Sequence, residues 1–265
     1  MSPFSIFYYL VLSFIYVLAI PYLIFKSRNS KYRQAIPAKF FLKDNIPFEE
    51  NGIWFHSCSM GETKAIKPLI DNYLENANIS VITNTGFEEA KKISPNVRYL
   101  PFEIFLPFWV NKQKILVVME AELWYLLFLF AKKKGAKTLL INARISDKSY
   151  KSYKRFSFFY ERIFQNIDKV FAQSEVDKYR LEELGASNVE VIGNIKLAQL
   201  PKVNVELVKP KQVVITAAST HENEEKLILN AYKKEQGKLI IVPRHPERFD
   251  KIDLQIREFI KDKNI

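Results

Sequence analysis

The sequence predicts an α/β protein: a doubly wound parallel sheet, preceded by one long apolar helix and followed by a second, shorter α/β segment. Three observations predict it. Short, largely apolar runs (Ile53–His56, Ile115–Met119, Val170–Gln173) recur along the chain with amphipathic stretches between them, the alternation of a βα repeat. The runs are continuous rather than alternating, as in strands covered on both faces. Gly86, Gly135, Gly185 and Gly193 fall between runs and stretches, where helices end and connections turn.

The first element is Phe4–Phe25, a 22-residue run interrupted only by Ser5, Ser13 and Pro21. As a helix it measures about 33 Å, enough for a hydrocarbon core of about 30 Å. Nothing basic precedes it, and Lys26, Arg28, Lys31 and Arg33 follow, the reverse of a signal peptide. The positive-inside rule then places the rest in the cytoplasm. Residues 1–25 read as a membrane anchor that spans the bilayer or lies in its interface, and 26–50 as a basic juxtamembrane linker.

From 51 to 200 the strands expected are Ile53–His56, Ser80–Thr83, Val97–Leu100, Ile115–Met119, Thr138–Ile141, Val170–Gln173 and Val189–Ile192. Helical stretches lie at Glu62–Leu74, Leu123–Lys134, Tyr150–Phe164 and Val176–Leu184. Together they make a Rossmann-like domain. Residues 201–212, with Pro201 and Pro210, read as a linker. From 213 to 265 follow strand Val213–Ala217, helix Glu222–Lys234, strand Leu239–Val242 and helix Phe249–Lys261. Two βα units in that length read as part of a second Rossmann-like domain.

The chain has 265 residues and a formal net charge of +11, from 40 Lys and Arg against 29 Asp and Glu. The excess is localised. Six basic residues and no acid lie between Lys26 and Lys43, and nine basic residues against Asp147 alone lie between Lys132 and Arg155. The first cluster abuts the apolar run and no nucleic-acid motif is present, so the charge points to an anionic membrane or lipid rather than to nucleic acid. A single cysteine, Cys58, excludes an internal disulfide and reads as a small packed residue. With seven glycines there is no Gly-x-Gly-x-x-Gly or Walker loop. His56, His221 and His245 lack metal-ligand spacing, so no metal site is expected.

In open parallel sheets ligands sit beyond the carboxyl ends of the strands. Glu62 follows the first strand at a helix N-terminus, where it serves either as a general base or only as a helix-stabilising carboxylate. Glu120 and Glu122 leave the fourth strand at alternate positions, and capping accounts for at most one of them. Asn142 and Arg144 follow the fifth strand and Lys196 the seventh. In the second segment Thr220 and His221 follow one strand and Arg244, His245 and Arg248 the next. Carboxylates in the first segment and cations in both suit an anionic donor and a hydroxyl to be deprotonated.

At these same strand ends the chain resembles the 3-deoxy-D-manno-octulosonic acid (Kdo) transferases of lipopolysaccharide synthesis. The matching segments are Trp54–Glu62, Met119–Trp124, Asn142–Ser146, Ala172–Glu175, Gly193–Lys196, Ala218–Glu222 and Val242–Phe249, in the family's order. The resemblance implies a GT-B-like glycosyltransferase: two Rossmann-like domains, anchored at the cytoplasmic face of the inner membrane. It implies transfer of Kdo from CMP-Kdo to the lipid A precursor, without a metal or other cofactor. Carried over position by position, Glu62 is the proton acceptor, Glu120 and Lys196 stabilise the transition state, and Pro243 and Arg244 belong to the CMP site. Tyr125 and Leu126 replace the family's Pro-Asn, a change expected to affect local packing. The family also continues into a Gly-Gly-His-Asn-x-Leu-Glu-Pro-like stretch that holds the nucleotide, beyond Ile265. The resemblance therefore implies a chain shortened at its C-terminus relative to the family. The alternative expectation is an inactive homologue, or an acceptor-binding half that a second polypeptide completes.

Overall fold

Consecutive residues of the central strands face opposite ways. Trp54, Leu116, Val118 and Leu140 belong to one buried cluster, and Phe55, Val117, Met119 and Ile141 to another. A strand whose neighbouring residues are both buried has no wet face, which is why the apolar runs are continuous. Each such side chain contributes on the order of 2 kcal/mol.

The computed structural model describes residues 2–71, 73, 77–199, 210–233 and 237–263. The chain divides into two units, Met1–Leu200 and Pro201–Ile265. In the first, seven strands form one parallel sheet: β1 (Ile53–Ser57), β2 (Ala77–Val81), β3 (Val97–Tyr99), β4 (Ile115–Met119), β5 (Lys137–Ala143), β6 (Lys169–Ala172) and β7 (Val189–Val191). Their order is β3-β2-β1-β4-β5-β6-β7. The chain moves outward from β1 to β3, then returns to β1's other side with β4, so the sheet is doubly wound with its reversal between β1 and β4. The helices are α1 (Pro3–Ser27), α2 (Ala35–Phe41), α3 (Met60–Ile70), α4 (Asn84–Lys91), α5 (Leu106–Trp109), α6 (Tyr125–Lys133), α7 (Asp147–Arg155), α8 (Ser157–Phe164) and α9 (Glu175–Glu183).

Three elements differ from expectation. The second strand lies at Ala77–Val81 rather than Ser80–Thr83. Its Asn78 and Ser80 are buried but satisfied, by Gln113 at 2.9 Å and by the Trp54 indole N–H at 2.8 Å, so polarity there does not mark an end. Tyr150–Phe164 is two helices, because Phe156 (φ −109°, ψ 31°) leaves the helical region between α7 and α8. Residues 26–50 are not simply a tether: α2 buries Ala35, Ile36 and Ala38. Of the expected linker, 201–209 lies outside the described residues, as do Leu74 and Lys234, the expected ends of two helices; the helices there end earlier, at Ile70 and Ala231.

The second unit pairs β8 (Val214–Thr220) with β9 (Lys238–Pro243) in parallel, each followed by a helix, α10 (Glu224–Ala231) and α11 (Phe249–Lys263). Arg248 reaches from the turn before α11 to the Thr220 carbonyl at 3.1 Å and the buried Glu225 carboxylate at 2.9 Å.

Ser2 caps α1 by accepting the Ser5 N–H, with Pro3 in the first helical position. The helix is long and apolar enough to cross a membrane by length and composition. One stripe of it rests on the first unit. The Ser5 hydroxyl meets Tyr125 Oη at 2.7 Å, the Tyr8 hydroxyl donates to Glu103 at 3.1 Å, and Tyr16 Oη donates to the Phe40 carbonyl at 2.5 Å. Leu23 is buried about one turn from the end. The opposite stripe, with Phe7, Leu10, Phe14, Leu18 and Phe25, is exposed.

Glu103, 2% exposed, also accepts the Leu126 N–H at 3.5 Å in the first turn of α6. Burial raises its carboxyl to about 7, against the hydrogen bonds from Tyr8, Leu126 and Tyr125 that favour the ionised form. The folded state thus holds this proton more tightly than the unfolded chain, whose carboxyl titrates near 4.5. The stability it contributes is fully present below the unfolded value and is lost as pH rises through about 7, a swing on the order of 3 kcal/mol. The unfolding midpoint in detergent is expected to fall between about pH 5 and about pH 8, and Glu103→Gln to flatten most of that slope. Equal slopes in both proteins would assign the effect elsewhere.

Candidate active site

The reversal of strand order sends the chain to opposite faces after β1 and β4 and opens a crevice beyond their carboxyl ends. The acidic residues stand there. After β1, Ser59 caps α3, and Glu62 answers it: Ser59 Oγ accepts the Glu62 N–H at 3.4 Å, while Glu62 accepts the Ser59 hydroxyl at 2.9 Å and the Cys58 N–H at 2.7 Å. This is a reciprocal capping box. Burial nevertheless raises the Glu62 carboxyl above its ordinary range. The two hydrogen bonds oppose that rise, and the negative charges of Glu120 and Glu122 add to it. Glu62 therefore stabilises its helix and also sits as a proton-seeking carboxylate among like charges.

After β4, Glu120 takes a left-handed backbone conformation (φ 55°), which turns its side chain out of the strand direction. Its carboxylate pairs with Lys196 Nζ and accepts the Asn142 side-chain N–H at 3.4 Å. Asn142, at the end of β5 and also left-handed (φ 53°), accepts the Ile195 N–H at 3.1 Å. The Gln173 amide secures its carbonyl at 3.0 Å. One asparagine thus carries the short helical turn Ile195–Gln199, and with it Lys196, to Glu120.

Glu122 accepts the Trp124 indole N–H at 2.7 Å and lies 3.9 Å from Nε2 of the fully buried His56. Burial works against ionisation here, but His56, Trp124 and Cys58 together hold the carboxyl below its ordinary range. On its other side His56 Nδ1 meets Ser80 Oγ at 2.8 Å, and Nε2 has no hydrogen-bond partner among the described residues. Glu122 and Glu62 are thereby driven in opposite directions. Cys58 lies among them. Burial, with the charges of Glu122 and Glu62, pushes its thiol up to about 12, so it stays protonated near neutrality. That suits a packed residue, not a nucleophile. The Cys58 carbonyl accepts the Thr83 N–H at 3.2 Å and the Thr83 hydroxyl at 2.9 Å. A Cβ on Gly86 would stand only 3.2 Å from that oxygen, so α4 can approach the β1–α3 turn only with glycine there.

Glu62, Glu120 and Lys196, singled out from the sequence, thus meet in one crevice of the first unit. Pro243 and Arg244 lie in the second unit, at the carboxyl end of β9. There the Arg244 N–H bonds the Thr220 carbonyl at 3.0 Å and its side chain is exposed. Of the two arginines in Pro243–Phe249, Arg248 is committed to Glu225, and Arg244 has no carboxylate partner among the described residues. His221 and His245 stand beside it with ring centroids 6.2 Å apart. Two contributors, His56 and Trp124, had no site role in the sequence reading, and Asn142 had a place at a strand end but no partner. Asn142 was legible as a polar residue closing an apolar strand. The part His56 plays depends on which way β1 faces and could not be read from spacing.

Residues 27–199 match the family described as 3-deoxy-D-manno-octulosonic-acid transferase (kdotransferase). A bifunctional glycosyltransferase/methyltransferase from Fusobacterium nucleatum is 34% identical over 235 residues, which cover 79% of this chain and 37% of that protein. The 3-deoxy-D-manno-octulosonic acid transferase of Rickettsia bellii is 34% identical over 224 residues, 76% of this chain and 53% of the relative. That of Haemophilus influenzae is 28% identical over 272 residues, 91% and 61%. A solved glycosyltransferase structure from Rickettsia africae aligns with 81% of this chain and 66% of its own at 15% identity, with a TM-score of 0.41. The chain spans about half the length of the curated relatives it matches. On the match across residues 27–199 and these identities, the chain belongs to the 3-deoxy-D-manno-octulosonic acid transferase family.

Proposed function

We propose that this chain supplies the acceptor-activating site of a glycosyltransferase that moves Kdo from CMP-Kdo to the lipid A precursor at the cytoplasmic face of the inner membrane. The observation that carries the reading is the crevice at the β1/β4 reversal, where a raised carboxyl, Glu62, stands beside the Glu120–Lys196 pair. In the reaction the acceptor sugar hydroxyl attacks the anomeric carbon of Kdo. The bond from that carbon to the CMP phosphate oxygen breaks, CMP leaves with the electron pair, and the hydroxyl proton passes to Glu62. A carboxylate with raised proton affinity is the better base near neutral pH. Lys196 supplies positive charge beside the developing negative charge of the departing phosphate, and Glu120 orients it. Arg244, exposed at the end of β9, suits the nucleotide phosphate. The exposed apolar stripe of α1 supports a lipid-facing helix, with acceptor and site at one surface.

Membranes carrying the protein, incubated with CMP-Kdo and lipid A precursor, are expected to form the Kdo-linked product. No product, with a full-length relative active in parallel, rejects the activity. Glu62→Gln keeps a capping-box side chain, so it is expected to leave the unfolding midpoint nearly unchanged. It should also lower kcat by roughly 10²–10⁴-fold. A loss below tenfold would remove Glu62 as the base. In Glu120→Gln the acidic limb of the kcat/KM profile should move to lower pH, because a negative charge that raises Glu62 is gone.

Arg244→Ala and Arg248→Ala should separate. The first is expected to raise KM for CMP-Kdo roughly tenfold or more with the unfolding midpoint kept. The second should lower the midpoint, since it strips Glu225 of its partner. The reverse pattern would exchange their roles.

A further inference from the structure

Just past the C-terminal end of α1, a cavity of about 410 Å³ opens between residues 30–45 and the outer edge of the sheet at β3 and the start of α4. This volume lies in the range of small-ligand sites. Three cations line it, Arg33, Lys43 and Arg98, against the single acid Asp44. None of the three has a carboxylate within ion-pair distance among the described residues. Arg98 is fixed in the wall: its Nε donates to the Ile46 carbonyl at 3.1 Å, its Nη1 to the Val97 carbonyl at 2.9 Å, and its guanidinium lies 5.8 Å from the centre of the Phe48 ring. Behind it the Tyr99 hydroxyl donates to Asn84 Oδ1 at 3.0 Å, and Asn84 donates to the Lys31 carbonyl. The same wall thus holds residue 31, and with it the exit from α1.

We propose that this cavity binds the phosphate of an anionic phospholipid headgroup, a site separate from the carboxylate crevice. The proposal rests on the reading that the outer stripe of α1 meets lipid. That stripe runs from Ile6 to Phe25 and is exposed along its length, while the opposite stripe is docked from Ser5 to Leu23. A helix docked lengthwise on its domain meets lipid with its outer stripe. The cavity begins at Ser30, three residues beyond the end of that helix, and so opens at headgroup level. Unpaired cations there attract the phosphate layer, and the fixed guanidinium offers a directed contact to one phosphate. The site also has a mechanical consequence. Contact through one helix stripe leaves the domain free to roll about the helix axis; a phosphate held off that axis stops the roll and sets which way the crevice faces.

The test is flotation of the full chain with vesicles of phosphatidylcholine alone and of phosphatidylcholine with phosphatidylglycerol. Arg33 and Lys43 are exposed, so Arg33→Gln/Lys43→Gln is expected to fold and to bind phosphatidylcholine vesicles as the wild type does. On phosphatidylglycerol vesicles it should lose roughly tenfold in affinity. Lys112→Gln/Lys114→Gln removes the same charge at the other end of the sheet, beside the start of β4, and should lose less than about twofold. Equal losses in the two double variants, or none in the first, overturn the proposal. Displacement of the wild type from phosphatidylglycerol vesicles by inorganic phosphate at matched ionic strength also overturns it, since the cavity is then a free-anion site. Failure to bind either vesicle removes the lipid-facing reading of α1 and the proposal with it.

Discussion

Three carboxylates crowd the carboxyl ends of β1 and β4, and their mutual repulsion is the constraint around which the first unit is organised. Each is held by a different device. Glu62 is tied into a capping box and left raised by burial, Glu120 is neutralised by Lys196, and Glu122 is held ionised by Trp124 and His56. The first is local in sequence, the third is local through Trp124 but not through His56, and the second is not local at all. The compensation draws on the end of β5, through Asn142, and on the turn after β7, through Lys196. The doubly wound order makes that possible, because parallel strands deliver all their carboxyl ends to one edge.

The strands were legible because burial on both faces leaves no room for polar residues, and Ile115–Met119 shows the rule unbroken. The second strand shows where it fails. Asn78 and Ser80 are buried and paired across the sheet, and hydropathy cannot distinguish a satisfied buried polar group from an exposed one. The break at Phe156 was hidden for another reason: nothing in Arg155-Phe156-Ser157 is a helix breaker, and only the backbone angles there show the interruption. At the site, residue types and strand ends indicated Glu62, Glu120 and Lys196. The pairing of Glu120 with Lys196, 76 positions apart in sequence, depends on the path of the chain through β5 to β7 and on two left-handed residues, Glu120 and Asn142.

Tyr125 illustrates how a departure from a family pattern acquires a meaning. In place of a proline it offers a hydroxyl to Ser5 and a ring that meets Phe4 and Tyr8 edge-on, with centroids at 5.5 and 5.3 Å. A proline at that position could supply neither contact. The substitution thus belongs to the docking of α1, a matter of tertiary packing that no reading of the local segment could assign.

The same contacts connect the apolar helix to the chemistry. Tyr8 of α1 bonds Glu103, Glu103 accepts an N–H in the first turn of α6, and the residue before α6, Trp124, bonds Glu122. From the apolar helix to the carboxylate crevice there are a few links, each a hydrogen bond or two residues of backbone. An acceptor whose acyl chains stay in the bilayer brings its sugar hydroxyl no deeper than the surface allows. A base serving it must therefore stand at a fixed, short height above that surface. A helix joined to its domain at one end would let that height vary with every bend of the joint. Docking along the whole stripe from Ser5 to Leu23, with a buried carboxyl bonded to Tyr8 in its second turn, removes that freedom. On the proposed function, the height of Glu62 above the lipid then follows from side-chain packing.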